Sequence, residues 1–250
     1  MRKYALGMGA LLLAFMLGPP KTLRAGTIGL TLSTSTNYPA MGGVYVGPYN
    51  FTGTGSQSLQ LVCDDFADDV SPGESWTATT STFPLTSSVL FDTQFSDYQT
   101  RYKEVGWLVQ QMFSLPTNSP NYSQTIGDIQ WAIWDIFDVT PNGPISDGHN
   151  NPWGTLSAQD QCNIDGYGCT NSNNWLAQAQ ANYASGNYSN LVIYTPTTWS
   201  SGRPQEYFGL QQSMPESMTF WTLLVALATI ALTCRWADKA TVKPTASGEV

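Results

Sequence analysis

Residues 128–137 read DIQWAIWDIF. On a helical projection Ile126, Ile133 and Phe137 share one face with Trp134 beside them, while Asp128, Trp131, Asp135 and Asp138 fall elsewhere around the cylinder. Gln130 lies on the apolar face. Burying a primary amide without hydrogen bonds costs roughly 1–3 kcal/mol, so the side chain needs partners for its donors and its carbonyl. A helix over 124–137 therefore brings a polar group with unmet needs into the core.

Upstream, 27–83 is punctuated by Gly, Pro, Ser and Thr into the strand-like runs TIGLTL, GVYVGPY, SLQLVC and ESWTATTSTF. In SLQLVC the alternation places Leu59, Leu61 and Cys63 on one face, so the thiol points inward where the strand ends. Residues 96–114 open with a capping-box pattern, Ser96 and Gln99, and continue at helical spacing through Tyr98, Tyr102, Val105, Val109 and Met112. Downstream come a long polar loop over 140–173, a short helix over 174–184, and the strands NLVIYTP and EYFGLQ. The order predicts an α+β fold, an antiparallel β region with two or three inserted helices.

The two ends point to export. Arg2 and Lys3 precede an apolar run from Ala5 to Leu17 and a small-residue stretch ending at Ala25, the pattern of a signal peptide over 1–25. A second uncharged run, 218–234, is followed by Arg235, Lys239 and Lys243. A bilayer core needs about 20 residues, so this run with its interfaces reads as a transmembrane helix with the tail, 237–250, in the cytoplasm. Between them, 26–213 holds fifteen Asp and Glu against Arg101, Lys103 and Arg203. So acidic a body repels phosphate backbones, and nucleic acid is not an expected partner. Among the four cysteines, Cys162 and Cys169 in CNIDGYGC are spaced for a disulfide in an oxidising compartment, and Cys63 is left without a mate.

The sole histidine, His149, has no nucleophile motif around it, and His–Cys zinc ligation lacks ligands. No cofactor is expected. The cluster CDDFADD presents Asp64, Asp65, Asp68 and Asp69 as calcium ligands or as a carboxylate pair for glycoside hydrolysis, against the simpler reading of a solvated turn. QCNIDG, from Gln161, begins without Asp and lacks Glu at its twelfth position, so an EF-hand is rejected. One constellation remains. A thiolate at Cys63 can attack the amide carbon of Gln130, expel ammonia and leave an internal thioester, if the two touch and water is excluded. Trp131 and Trp134 are candidate walls of such a pocket.

VCDDF at 62–66 and IQWAIW at 129–134 resemble the two signatures of the thioester domains of bacterial surface adhesins. Ile129, Gln130, Ile133 and Trp134 match the glutamine half, whereas the cysteine half departs, with Val62 where the family favours an aromatic residue or Leu and Asp64 where it favours an apolar one. The C-terminal stretch 213–236, with Pro215, Glu216, the apolar helix and Arg235, resembles a PEP-CTERM sorting signal in which Ser217 replaces the second proline. YVGPY at 45–49 accompanies such domains in this sorting class. These resemblances imply a Gram-negative surface protein with an exported domain over 26–212, delivered by an exosortase-type sorting enzyme. Adhesion or extracellular-matrix association, through polysaccharide or through amines on protein surfaces, is then its expected role, with no metabolic reaction. The alternatives are a purely structural module with Cys63 free, and a hydrolase using the Asp64–Asp69 carboxylates.

Overall fold

The computed structural model describes residues 26–34, 38–86, 89–137, 152–169, 173–197 and 204–211. The expected signal peptide and C-terminal helix lie outside the described residues, as do Pro215, Glu216, Arg235, Asp138 and His149. Among the described residues no helix is long and apolar enough to cross a membrane.

The chain is a mixed α+β protein built on a closed barrel. Strands β1 (Thr27–Leu32), β4 (Tyr49–Gly53), β5 (Gln57–Cys63), β6 (Ser75–Thr82), β7 (Leu191–Pro196) and β8 (Tyr207–Leu210) pair antiparallel in the order β1-β4-β5-β8-β7-β6, and β6 closes back on β1. Closure removes the sheet edges. Alternate residues from every strand fill the lumen: Leu30, Phe51, Leu61, Cys63, Trp76, Tyr194 and Tyr207 belong to one buried cluster. The opposite faces of β5, β7 and β8 turn Val62, Ile193 and Phe208 toward a second cluster made with the helices.

Four helices cover that side: α1 (Tyr98–Ser114), α2 (Tyr122–Phe137), α3 (Ala158–Ile164) and α4 (Trp175–Asn182). The capping box expected at Ser96 and Gln99 does not form. Helix α1 starts one residue later, after Asp97, without a side-chain cap, and Gln99 Nε2 donates instead to the Leu85 carbonyl at 3.2 Å. Helix α3 falls inside the stretch read as loop. Its signal was local, since Ser157 and Asp160 form a reciprocal capping box.

GVYVGPY is not one strand. β2 (Ala40–Met41) and β3 (Val44–Tyr45) form a separate two-stranded hairpin, and the cis Gly47–Pro48 bond leads into β4 in the barrel. The hairpin lies on α2. Gly127 has no Cβ where the end of Met41 sits, and a Cβ on Gly42, at φ +64°, would come 2.7 Å from Trp131 Cζ2. Enclosed by hairpin, barrel and neighbouring helices, α2 buries Asp128 and Trp131 as well as its apolar stripe. The two-faced helix expected from the projection is therefore corrected to one buried nearly all round.

Candidate functional site

Helix α2 delivers the wholly buried Gln130 to the end of β5. Its Nε2 donates to the backbone carbonyl of Cys63 at 2.6 Å, and its Oε1 accepts from the backbone N–H of Gly47 at 3.2 Å. Both ends of the carboxamide are thus fixed. One partner is the candidate cysteine itself and the other is the residue where the hairpin hands over to β4. An aromatic wall lies alongside: Phe66 packs on Trp134 with ring centroids 4.8 Å apart, Trp131 lies 5.4 Å from Trp134, and Trp153 backs Trp131 at 5.9 Å.

Cys63 has no solvent exposure and no disulfide partner among the described residues. Its Sγ donates to the Asp65 carbonyl at 3.0 Å. Burial first, and then the nearby Asp65 and Asp64 carboxyls, push the thiol well above its ordinary pKa. Hydrogen bonding from the Asp65 backbone and from the Trp134 indole N–H works the other way without winning. Cys63 is accordingly a neutral thiol at physiological pH. The Tyr49 and Tyr207 hydroxyls are also raised well above the usual range, mainly by burial and next by Cys63. Trp134, Tyr49 and Tyr207 have a second exposure: with Tyr38, Phe66 and Asp69 they line a cavity of about 500 Å³ at the barrel mouth. Neither Cys63 nor Gln130 lines that cavity.

The acidic cluster divides. Asp64 and Asp65 are 1% and 2% exposed, so the solvated turn expected for them is corrected: the strand alternation continues past Cys63 and carries Asp64 under the helices. Asp69 is exposed and Asp68 half-buried. Asp64 faces Glu206, a residue the sequence reading passed over. Glu206 accepts from the Tyr102 hydroxyl, the Thr195 hydroxyl and, at 3.0 Å, the Leu90 N–H. With three donors on it, Glu206 keeps its charge better than its neighbour. Burial, followed by the Glu206 charge, drives the Asp64 carboxyl well above the usual carboxylate range, so the pair shares one proton, carried by Asp64. Glu206 immediately precedes β8, and it is the pairing of Tyr207 with Cys63 that sets it across from Asp64, which the sequence alone does not record. Among the described residues no group of three or more His, Cys, Asp or Glu is arranged to hold a metal ion, and Asp64, Asp65, Asp68 and Asp69 are not gathered into one site.

Cys162 and Cys169 form a disulfide, with Cα atoms 5.7 Å apart. It closes the end of α3 far along the chain from Cys63. The connection to α2 is polar: Asn163 Nδ2 of α3 donates to one oxygen of Asp128 at 3.0 Å, while Gln124 Nε2, one turn back on α2, donates to the other at 3.1 Å. Comparison of the chain with family models, curated proteins and solved structures finds no match.

Proposed function

We propose that this chain is an exported surface protein whose barrel domain carries an internal thioester between Cys63 and Gln130, used for attachment to a neighbouring surface or matrix. The supporting observation is the placement of a wholly buried carboxamide against the cysteine's own carbonyl, behind an aromatic wall. Thioester closure gives Cys63 a covalent mate and exchanges the Nε2–Cys63 carbonyl hydrogen bond for a C–S bond, the buried thiol being deprotonated as it attacks. The cavity lined by Trp134, Tyr49 and Tyr207 lies beside the site without reaching Cys63 or Gln130, so an incoming amine gains the acyl carbon only when those rings move aside. Its lining includes the Asp69 carboxylate and no cationic residue, which suits a protonated amine arriving from a protein surface or a polysaccharide. The reaction is one covalent capture and not turnover. Residues 213–236 would direct the protein to an exosortase-type enzyme, with residues 218–234 holding it in the membrane before it reaches the surface.

A structural module is the second reading, favoured by the same hydrogen bonds: an amide bonded at both ends is also how a protein anchors a buried glutamine. Methylamine separates the two. The thioester protein is expected to take up one methylamine at Gln130 and to expose one new thiol at Cys63, and Cys63→Ala to take up none. A folded wild-type protein inert to methylamine, with Cys63 already a thiol on unfolding, leaves the structural reading.

A further inference from the structure

We propose that the Gly47 backbone N–H is the oxyanion donor of the Cys63–Gln130 site, held in position by the β2–β3 hairpin clamped on helix α2. The proposal rests on the thioester reading above and adds the group that drives it. In closure, the Cys63 sulfur adds to Gln130 Cδ, the C–N bond breaks, and the thiol proton leaves on the nitrogen as ammonia. In capture, an amine adds to the same carbon, the C–S bond breaks, and a proton from the amine returns to sulfur. Both steps pass negative charge through Oε1. Gly47 N–H donates to that atom at 3.2 Å, in a buried setting where a fixed donor counts for more than in water.

The donor is preorganised by packing. Gly127, Gln130 and Trp131 sit at helical spacing on α2, and each meets the hairpin strand or its exit: Gly127 under Met41, Trp131 against Gly42, and Gln130 with Gly47. Position 47 itself admits no side chain without cost, because a Cβ there would stand 3.0 Å from Gln130 Oε1 and 3.0 Å from the Tyr49 ring. The hairpin therefore does for the acyl oxygen what a catalytic loop does in an acyl-transfer enzyme, without supplying a side chain.

The test uses the full chain with glycolic acid in place of Gly47, which turns one backbone amide into an ester and deletes only that N–H donor. Ammonia release on folding and methylamine uptake by the closed protein are both expected to slow roughly 100-fold, as oxyanion-hole deletions do. The Gln130 carbonyl stretch, read by infrared spectroscopy with ¹³C at Cδ, is expected to move to higher wavenumber as its hydrogen bond is lost. A folding defect alone moves neither of these in a folded sample. Gly127→Val, which pushes Met41 and the hairpin off α2 without touching Cys63 or Gln130, is expected to slow methylamine uptake as well, and it decides the matter if the ester protein fails to fold. Wild-type rates with an unshifted stretch in the ester protein, or an unchanged rate in Gly127→Val, overturn the proposal. A wild-type protein that never loses ammonia overturns the thioester reading, and this one with it.

Discussion

Asp64 sits one residue beyond the candidate nucleophile and is buried with a second carboxyl, a costly arrangement unless a proton is shared. In the folded chain Glu206 takes three donors and Asp64 keeps the proton. The sign of the pH effect follows. The Asp64 pKa is raised on folding, so the folded state binds more protons than the unfolded one above about pH 4, and stability falls as pH rises. Wild-type protein is expected to melt at progressively lower temperature from pH 5 to pH 9. Asp64→Asn keeps a donor facing Glu206 without a proton to lose, and its melting temperature is expected to be flatter over that range and above the wild type at pH 9. Parallel profiles for the two proteins would contradict the shared proton. Sequence reading could not find this pair, because an acidic run looks like a turn until a distant strand brings Glu206 across from it. It did find the Cys63 face, because period-two alternation is local.

At the scale of elements, α2 is the part that organises the site. Its sequence showed a helix and singled out Gln130, but the projection left Trp131 and Asp128 outside the apolar face. The hairpin and α3 cover those positions in the structure, and no periodicity within α2 records what packs on it from elsewhere in the chain. Asp128 carries a measurable consequence. Burial outweighs the donors Asn163 and Gln124 and raises its carboxyl from 3.8 to about 6. The folded state therefore holds this proton more tightly, and the stability it confers is present below about pH 4 and lost as pH climbs through 6. Asp128→Asn is expected to remove that step and leave the Asp64 effect above pH 6 intact. A melting curve that steps between pH 4 and 6 in the variant as in the wild type would remove Asp128 from the account.

At the scale of the molecule, a closed barrel packs the outer faces of β5, β7 and β8 against a helical layer, and the candidate site lies at that junction. The cysteine is a lumen residue at a strand end, the glutamine comes from the helical layer, and Gly47, the proposed oxyanion donor, follows the hairpin between them. The α+β class was legible from the strand-like and helical runs. Barrel closure was not, since it depends on β6 pairing with both β1 and β7, the latter more than a hundred residues further along the chain. The aromatic residues that looked equally suited to a core or to ligand stacking divide by position: Phe51, Trp76 and Tyr194 fill the lumen, Tyr38 and Trp134 line the cavity, and Tyr207 does both. The central claim is a covalent bond between the lumen and the helical layer, and mass reads it directly. Wild-type and Cys63→Ala proteins, prepared identically so that any processing of the ends cancels, are compared by intact mass after denaturation without reductant. The account predicts a wild type lighter by one ammonia than the substitution alone requires. A mass difference equal to the substitution alone would contradict it.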